Sequence, residues 1–271
     1  MARYDQLFTK LRAKKEGAFI PFVVLGDPNR ALSAKILETL VVSGADALEV
    51  SIPFSDPLAD GPEIQGAVLR ALESGATVEG AFSLLSEVRT NHPTLPIGLL
   101  MYANLIYAYG VEAFYQRCQE VGIDSVLVAD LPLREATPFS SIAKAKDVAP
   151  IFICPPDATD EAIAGIAQEG EGYTYLVSRA GVTGVDQDSH SEENCDLTQN
   201  IRRLKEAKAA PIIQGFGIST PEQARYYLAQ GVSGVISGSA VTQIIRENLD
   251  NESEMLEKLA DFVRLMKQAT Q

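Results

Sequence analysis

The chain has little of what metal and nucleophile chemistry most often uses. Among 271 residues there are two histidines and three cysteines. His92 sits in the turn Asn91-His92-Pro93 and His190 in a polar loop, both expected at the surface and neither near a nucleophile motif. A His-based metal site or a Ser-His-Asp triad is therefore not expected. Cys118, Cys154 and Cys195 lie far apart and fit no disulfide framework or metal spacing, so they read as reduced thiols, the first two buried. No apolar run approaches the roughly 20 residues that cross a bilayer. The start, Met1-Ala2-Arg3-Tyr4-Asp5, leads into no signal-peptide core, and a cytoplasmic protein is expected. Basic residues are scarce: 23 Lys and Arg against 36 Asp and Glu leave a net charge of −13. With no basic cluster to neutralise phosphates, nucleic acid is an unsuitable partner.

What is present is a repeat. Short apolar runs at 19–24, 47–50, 97–101, 125–128, 150–153, 173–177, 211–214 and 234–237 read as strands. Helical patterns at 31–43, 62–74, 78–91, 111–121, 160–169, 200–209 and 221–230 alternate with them. Strand-helix alternation without hairpin signals implies parallel strands joined by crossovers. Eight such units predict an α/β protein, a single (β/α)8 TIM barrel over 1–271. An extra N-terminal helix at 4–15 and an additional C-terminal helix at 252–269 flank the repeat. Gly44, Gly122 and Gly231 each end a helix just before a strand, as a left-handed cap requires. A doubly wound open sheet is the rival, but Leu25-Gly26-Asp27-Pro28 stands where its GxGxxG would follow the first strand.

In a barrel, function collects at the C-terminal ends of the strands. The segment 47–65, ALEVSIPFSDPLADGPEIQ, places Glu49 near the end of an otherwise apolar strand, where a charge is costly unless used. Asp56 and Asp60 follow in a proline-rich loop. Asp60-Gly61-Pro62 would also serve as a helix cap, which accounts for Asp60 but not for Glu49. Glu49 and Asp60 are expected to form a paired-carboxylate acid/base site. At the ends of strands seven and eight, Gly217, Gly238 and Ser239 let backbone N–H groups converge on an anion, at the start of a helix over 241–248, and a phosphate site is expected there. The run 178–184 followed by the polar stretch 185–196 reads as a lid. Phe22, Leu100, Tyr102, Leu127, Ala129, Ile153, Tyr175, Phe216 and Ile236, all near strand ends, suggest an apolar pocket for an aromatic ring. No strand carries a lysine, which argues against a Schiff-base aldolase; a phosphosugar isomerase or other lyase on the same barrel stays open.

The strings Pro21-Phe22-Val23, Leu25-Gly26-Asp27-Pro28, Pro53-Phe54-Ser55-Asp56-Pro57-Leu58-Ala59-Asp60-Gly61-Pro62, Met101-Tyr102-Ala103-Asn104, Gly181-Val182-Thr183-Gly184 and Gly215-Phe216-Gly217-Ile218 resemble the tryptophan synthase α subunit family along essentially the whole chain. That resemblance implies a TIM barrel that cleaves indole-3-glycerol phosphate to indole and glyceraldehyde 3-phosphate, a lyase of tryptophan biosynthesis. It implies a β subunit as partner in an α2β2 tetramer, with pyridoxal phosphate in that β subunit and no cofactor or metal in this chain. A role mainly as an allosteric activator of the β subunit is the alternative. By the resemblance Glu49 is the general acid/base and Asp60 the second catalytic carboxylate. Thr183 belongs to the closing loop and Gly184, Gly217, Gly238 and Ser239 to the phosphate site. Phe22, Leu100, Tyr175 and Phe216 form the indole pocket, and Asp56 falls in the loop that meets the β subunit. The chain departs from the family pattern at Val24, Ser51 and Ala180, where threonine, glycine and serine are expected.

Overall fold

A computed structural model describes residues 2–178 and 194–271. Eight parallel strands close into a barrel in chain order: β1 (Ala18–Val24), β2 (Leu48–Ser51), β3 (Ile97–Met101), β4 (Ser125–Val128), β5 (Ala149–Cys154), β6 (Thr174–Val177), β7 (Ile212–Gly215) and β8 (Gly234–Ser237). β8 closes onto β1 through Ala18 and Gly234. A Cβ at Gly234 would lie 2.6 Å from the Ala18 carbonyl oxygen, so only glycine permits this approach.

Side chains alternate across the wall, as the two-residue period of a strand requires. On β1, Ile20, Phe22 and Val24 enter an inner cluster with Leu127, Tyr175, Ile213 and Ile236. Phe19, Val23 and Leu25 face outward onto the helical layer, where Leu37 and Leu40 of α2 (Arg30–Val42) are fully buried. Each such leucine stabilises the fold by about 2 kcal/mol relative to exposure. The expected N-terminal helix is α1 (Arg3–Lys14), whose Tyr4, Phe8 and Leu11 belong to the inner cluster and close the floor of the barrel.

Further round the ring come α3 (Pro62–Glu73), α4 (Val78–Asn91), α5 (Ala103–Tyr109), α6 (Val111–Val121), α7 (Thr137–Ala145) and α8 (Asp160–Glu169). They are followed by α9 (Asn194–Glu206), α10 (Pro221–Ala229), α11 (Ser239–Glu247) and the C-terminal α12 (Glu252–Ala269). Gly44, Gly122 and Gly231 have φ of 115°, 80° and 94°, the left-handed conformation their spacing implies. Two helices were not expected. α5 has seven residues and no side-chain cap, and α7 opens Thr-Pro-Phe-Ser-Ser, poor helix formers. α9 starts six residues before position 200, and β2 begins and ends one residue later than expected, which makes Glu49 its second residue.

Candidate active site

Glu49 points into the barrel between Phe22 on β1 and Gly98 on β3, its register partners. The Tyr173 hydroxyl donates to its Oε1 at 2.7 Å, while Oε2 is buried without a partner among the described residues. Tyr173 stacks edge-on against Tyr4 from the floor helix, ring centroids 5.5 Å apart, and the Tyr4 and Ser125 hydroxyls are 3.1 Å apart. Gly98 makes this arrangement fit: a Cβ there would come within 2.7 Å of Ser125 Oγ and 3.0 Å of the Tyr4 hydroxyl. Burial pushes the Glu49 carboxyl up to about 7, against a smaller lowering from the Tyr173 bond. At neutral pH this group holds comparable amounts of acid and base, as a proton shuttle needs.

Asp60 is buried at the end of the loop between β2 and α3. Its side chain is hydrogen-bonded to the Tyr102 hydroxyl, which also accepts the Ala59 N–H at 3.0 Å. The Phe54 ring packs on Tyr102, centroids 5.4 Å apart, and Gln65 Nε2 donates to the Asp60 carbonyl at 2.6 Å. Burial pushes Asp60 up to about 6, so it stays mostly ionised at neutral pH. The capping alternative is corrected: the N-cap of α3 is Gly61, which makes no side-chain cap bond, and Pro62 takes the first turn. Asp60 is free for other work.

Both carboxylates line one cleft with Phe22, Ile64, Leu100, Tyr175, Phe216, Gly217, Ile218, Ile236, Gly238 and Ser239. Gly217 has φ 75°, and a Cβ added there would meet nothing within 4 Å, which leaves an open shelf beside the ligand space. Gly238 is the N-cap of α11 and makes no side-chain cap bond, so the first N–H groups of that helix face the cleft unclaimed by a cap. Phe216 adopts φ 81°, a conformation that costs a bulky residue about 1–3 kcal/mol and is most often kept at functional sites.

The other expected lining residues divide. Tyr102 stands behind Asp60, and Leu127 is packed in the inner cluster without reaching the cleft wall. Ala129 and Ile153 sit at the edge of that cluster and line a second cavity on the far side of the wall. Thr183, Gly184 and the rest of 179–193, including His190 and Ala180, lie outside the described residues, as does the Cys195 side chain. Cys118 and Cys154 are buried free thiols, and His92 pairs with Glu38 at 2.7 Å. Tyr173, Ile64 and Ile218 were not singled out from the sequence. For Tyr173 a signal existed, since it lies two residues from Tyr175 and so on the same face.

The family model for the tryptophan synthase alpha chain matches residues 8–271. A tryptophan synthase alpha chain from Yersinia enterocolitica is 56% identical over 270 residues, covering 100% of this chain and 99% of that one. One from Serratia proteamaculans is 56% identical over the same span. Among solved structures, the tryptophan synthase subunit alpha of Legionella pneumophila superposes with a TM-score of 0.88 at 31% identity, covering 100% and 98% of the two chains. A chain of the tryptophan synthase complex of Pyrococcus furiosus does so with a TM-score of 0.81 at 33% identity, covering 93% and 98%. By fold, by match along nearly its whole length and by identity to these relatives, the chain belongs to the tryptophan synthase alpha chain family.

Proposed function

We propose that Glu49 and Asp60 carry the reaction of this family, the retro-aldol cleavage of indole-3-glycerol phosphate to indole and glyceraldehyde 3-phosphate. The observation that supports the assignment best is the Glu49 carboxyl: fully buried, held at one oxygen by Tyr173, with the other oxygen unpartnered beside the cleft. Protonated Glu49 delivers its proton to indole C3, which becomes tetrahedral while positive charge develops at the ring nitrogen. Ionised Asp60 stabilises that charge. Glu49, now a carboxylate, takes the proton of the adjacent side-chain hydroxyl as the C–C bond breaks. The bond electrons restore the indole and the carbinol carbon becomes the aldehyde, so Glu49 ends protonated as it began.

Phe22, Leu100, Tyr175 and Phe216 hold the ring, and Gly217, Gly238 and Ser239 hold the phosphate at the α11 N-terminus, which orients the substrate from a distance. The family resemblance adds Thr183 and Gly184, which lie outside the described residues, to the substrate-binding set. The chemistry asks for no cofactor or metal in this chain; pyridoxal phosphate belongs to a β subunit, with which the chain forms an α2β2 assembly in the cytoplasm. Leu58, 80% exposed in the loop between β2 and α3, gives that partner an apolar contact beside Asp56. The test is indole release from indole-3-glycerol phosphate by the purified chain, with and without a β subunit. Release that the β subunit accelerates is expected. Isomerisation of a phosphosugar with no indole formed would overturn the reading.

A further inference from the structure

A second cavity stands apart from the carboxylate cleft. It has a volume of about 450 Å3 and lies outside the barrel wall, over β4 and β5 and beneath α7 and α8. Its origin is a seam. β4 and β5 pair only as far as Leu127 and Ile151. Beyond that point β4 stays with β3, where Met101 pairs with Val128 and the Ala129 N–H donates to the Met101 carbonyl at 2.8 Å. β5 stays with β6 as far as Cys154 and Leu176. The wall therefore parts, and Ala129 and Ile153, which pack against the inner cluster, also line the outer cavity.

The cavity is mostly apolar, walled by Val126, Val128, Phe139, Phe152 and Ile166. Two hydroxyls interrupt it. Ser140 and Tyr115 line the cavity and are 3% and 2% exposed, yet neither hydroxyl has a hydrogen-bond partner among the described residues. Two hydroxyls on one otherwise apolar wall form a donor and acceptor set for a ligand. No charged side chain lines the space except exposed Asp130 at its rim, which disfavours a phosphorylated ligand. The volume falls in the range of small-molecule sites.

We propose that this cavity is a second ligand site, for a neutral planar heteroarene with one N–H donor, and that its occupant is free indole. The choice of ligand rests on the reaction proposed above, whose apolar product is small enough for this space, carries a single donor and forms on the other side of the seam. The indole N–H donates to Ser140 Oγ or the Tyr115 hydroxyl while its faces pack on Phe139 and Phe152. This site lies outside the strand wall and is separate from the ring pocket around Phe22 and Tyr175.

The chain contains no tryptophan, so the fluorescence of added indole reports its own environment. Indole is titrated into the full chain with and without a saturating, uncleavable phosphorylated indole analogue that fills the barrel. A class of indole binding that the analogue does not displace is expected. The double variant Ser140→Ala, Tyr115→Phe loses no internal hydrogen bond, so its thermal stability should be retained while this class weakens by about tenfold. Ala162→Phe, on the α8 wall, should fill the cavity and abolish the class. Complete displacement by the analogue, or an undisplaced class indifferent to both variants, would overturn the proposal. Because the readout is binding, a chain that cleaves substrate but lacks this class refutes the second site alone. A chain that shows the class but releases no indole from substrate refutes the reaction alone.

Discussion

Glu49 was legible because a carboxylate inside an apolar strand has to be explained, and its neighbours were not, because a tyrosine in such a strand is ordinary core. The structure shows that Tyr173 and the floor residue Tyr4 set the environment of Glu49. The Tyr173 bond lowers the Glu49 pKa against the rise from burial. Tyr173→Phe keeps the ring and its packing but removes that bond, so the Glu49 carboxyl should move further up. The alkaline limb of kcat/KM, which reports loss of the Glu49 proton, should then shift to higher pH, with the acid limb from Asp60 near 6 unmoved. A pH-rate profile on native and variant protein checks this. Asp60 was ambiguous for a different reason: aspartate before Gly-Pro suits a cap as well as a catalytic loop. The geometry of Gly61 at the N-cap removes the capping role.

The elements were easier to find than their duties. Strand-helix alternation and the Gly ends of helices were visible, whereas the short α5 and the Ser-rich α7 lacked a clear helical pattern. That α1 has a buried face was readable from its periodicity; that this face closes the barrel floor under Glu49 was not, because periodicity does not say what a face packs against. The parting of β4 from β5 is invisible for a similar reason, since pairing partners are not written locally. α11 was expected as a phosphate-binding helix, and its uncapped start at Gly238 supports the assignment. Gly238→Val places branched atoms where phosphate oxygens would lie and presses on Phe22, whose ring is 3.1 Å from a Cβ at that position. Affinity for glycerol 3-phosphate should fall by about tenfold or more, with a smaller loss for free indole bound in the barrel through the displaced Phe22 ring. Calorimetric titration with both ligands checks it; equal losses would mean misfolding.

For the molecule as a whole, a buried carboxyl is a cost to stability that the site keeps. In the folded chain Glu49 holds its proton up to about 7, while in the unfolded chain it loses it near its ordinary 4.5. Between those values the folded state binds more protons, so this group's contribution to stability is complete below about 4.5 and falls away as pH rises to about 7. Asp60, raised from 3.8 to about 6, acts in the same direction. Glu49→Gln removes the ionisation and should stabilise the protein above neutral pH by up to about 3 kcal/mol, with little change in acid. Denaturant melts at the two extremes of that window check the sign. This site gives up stability for a carboxyl that can both give and take a proton at neutral pH, and the direct test is turnover. Glu49→Gln and Asp60→Asn are compared with the native chain for indole release in single-turnover reactions and for binding of the phosphorylated substrate. Both variants should bind substrate nearly as well as the native chain, with cleavage abolished in the first and lowered by about a thousandfold in the second. Near-native cleavage by Glu49→Gln would contradict the account.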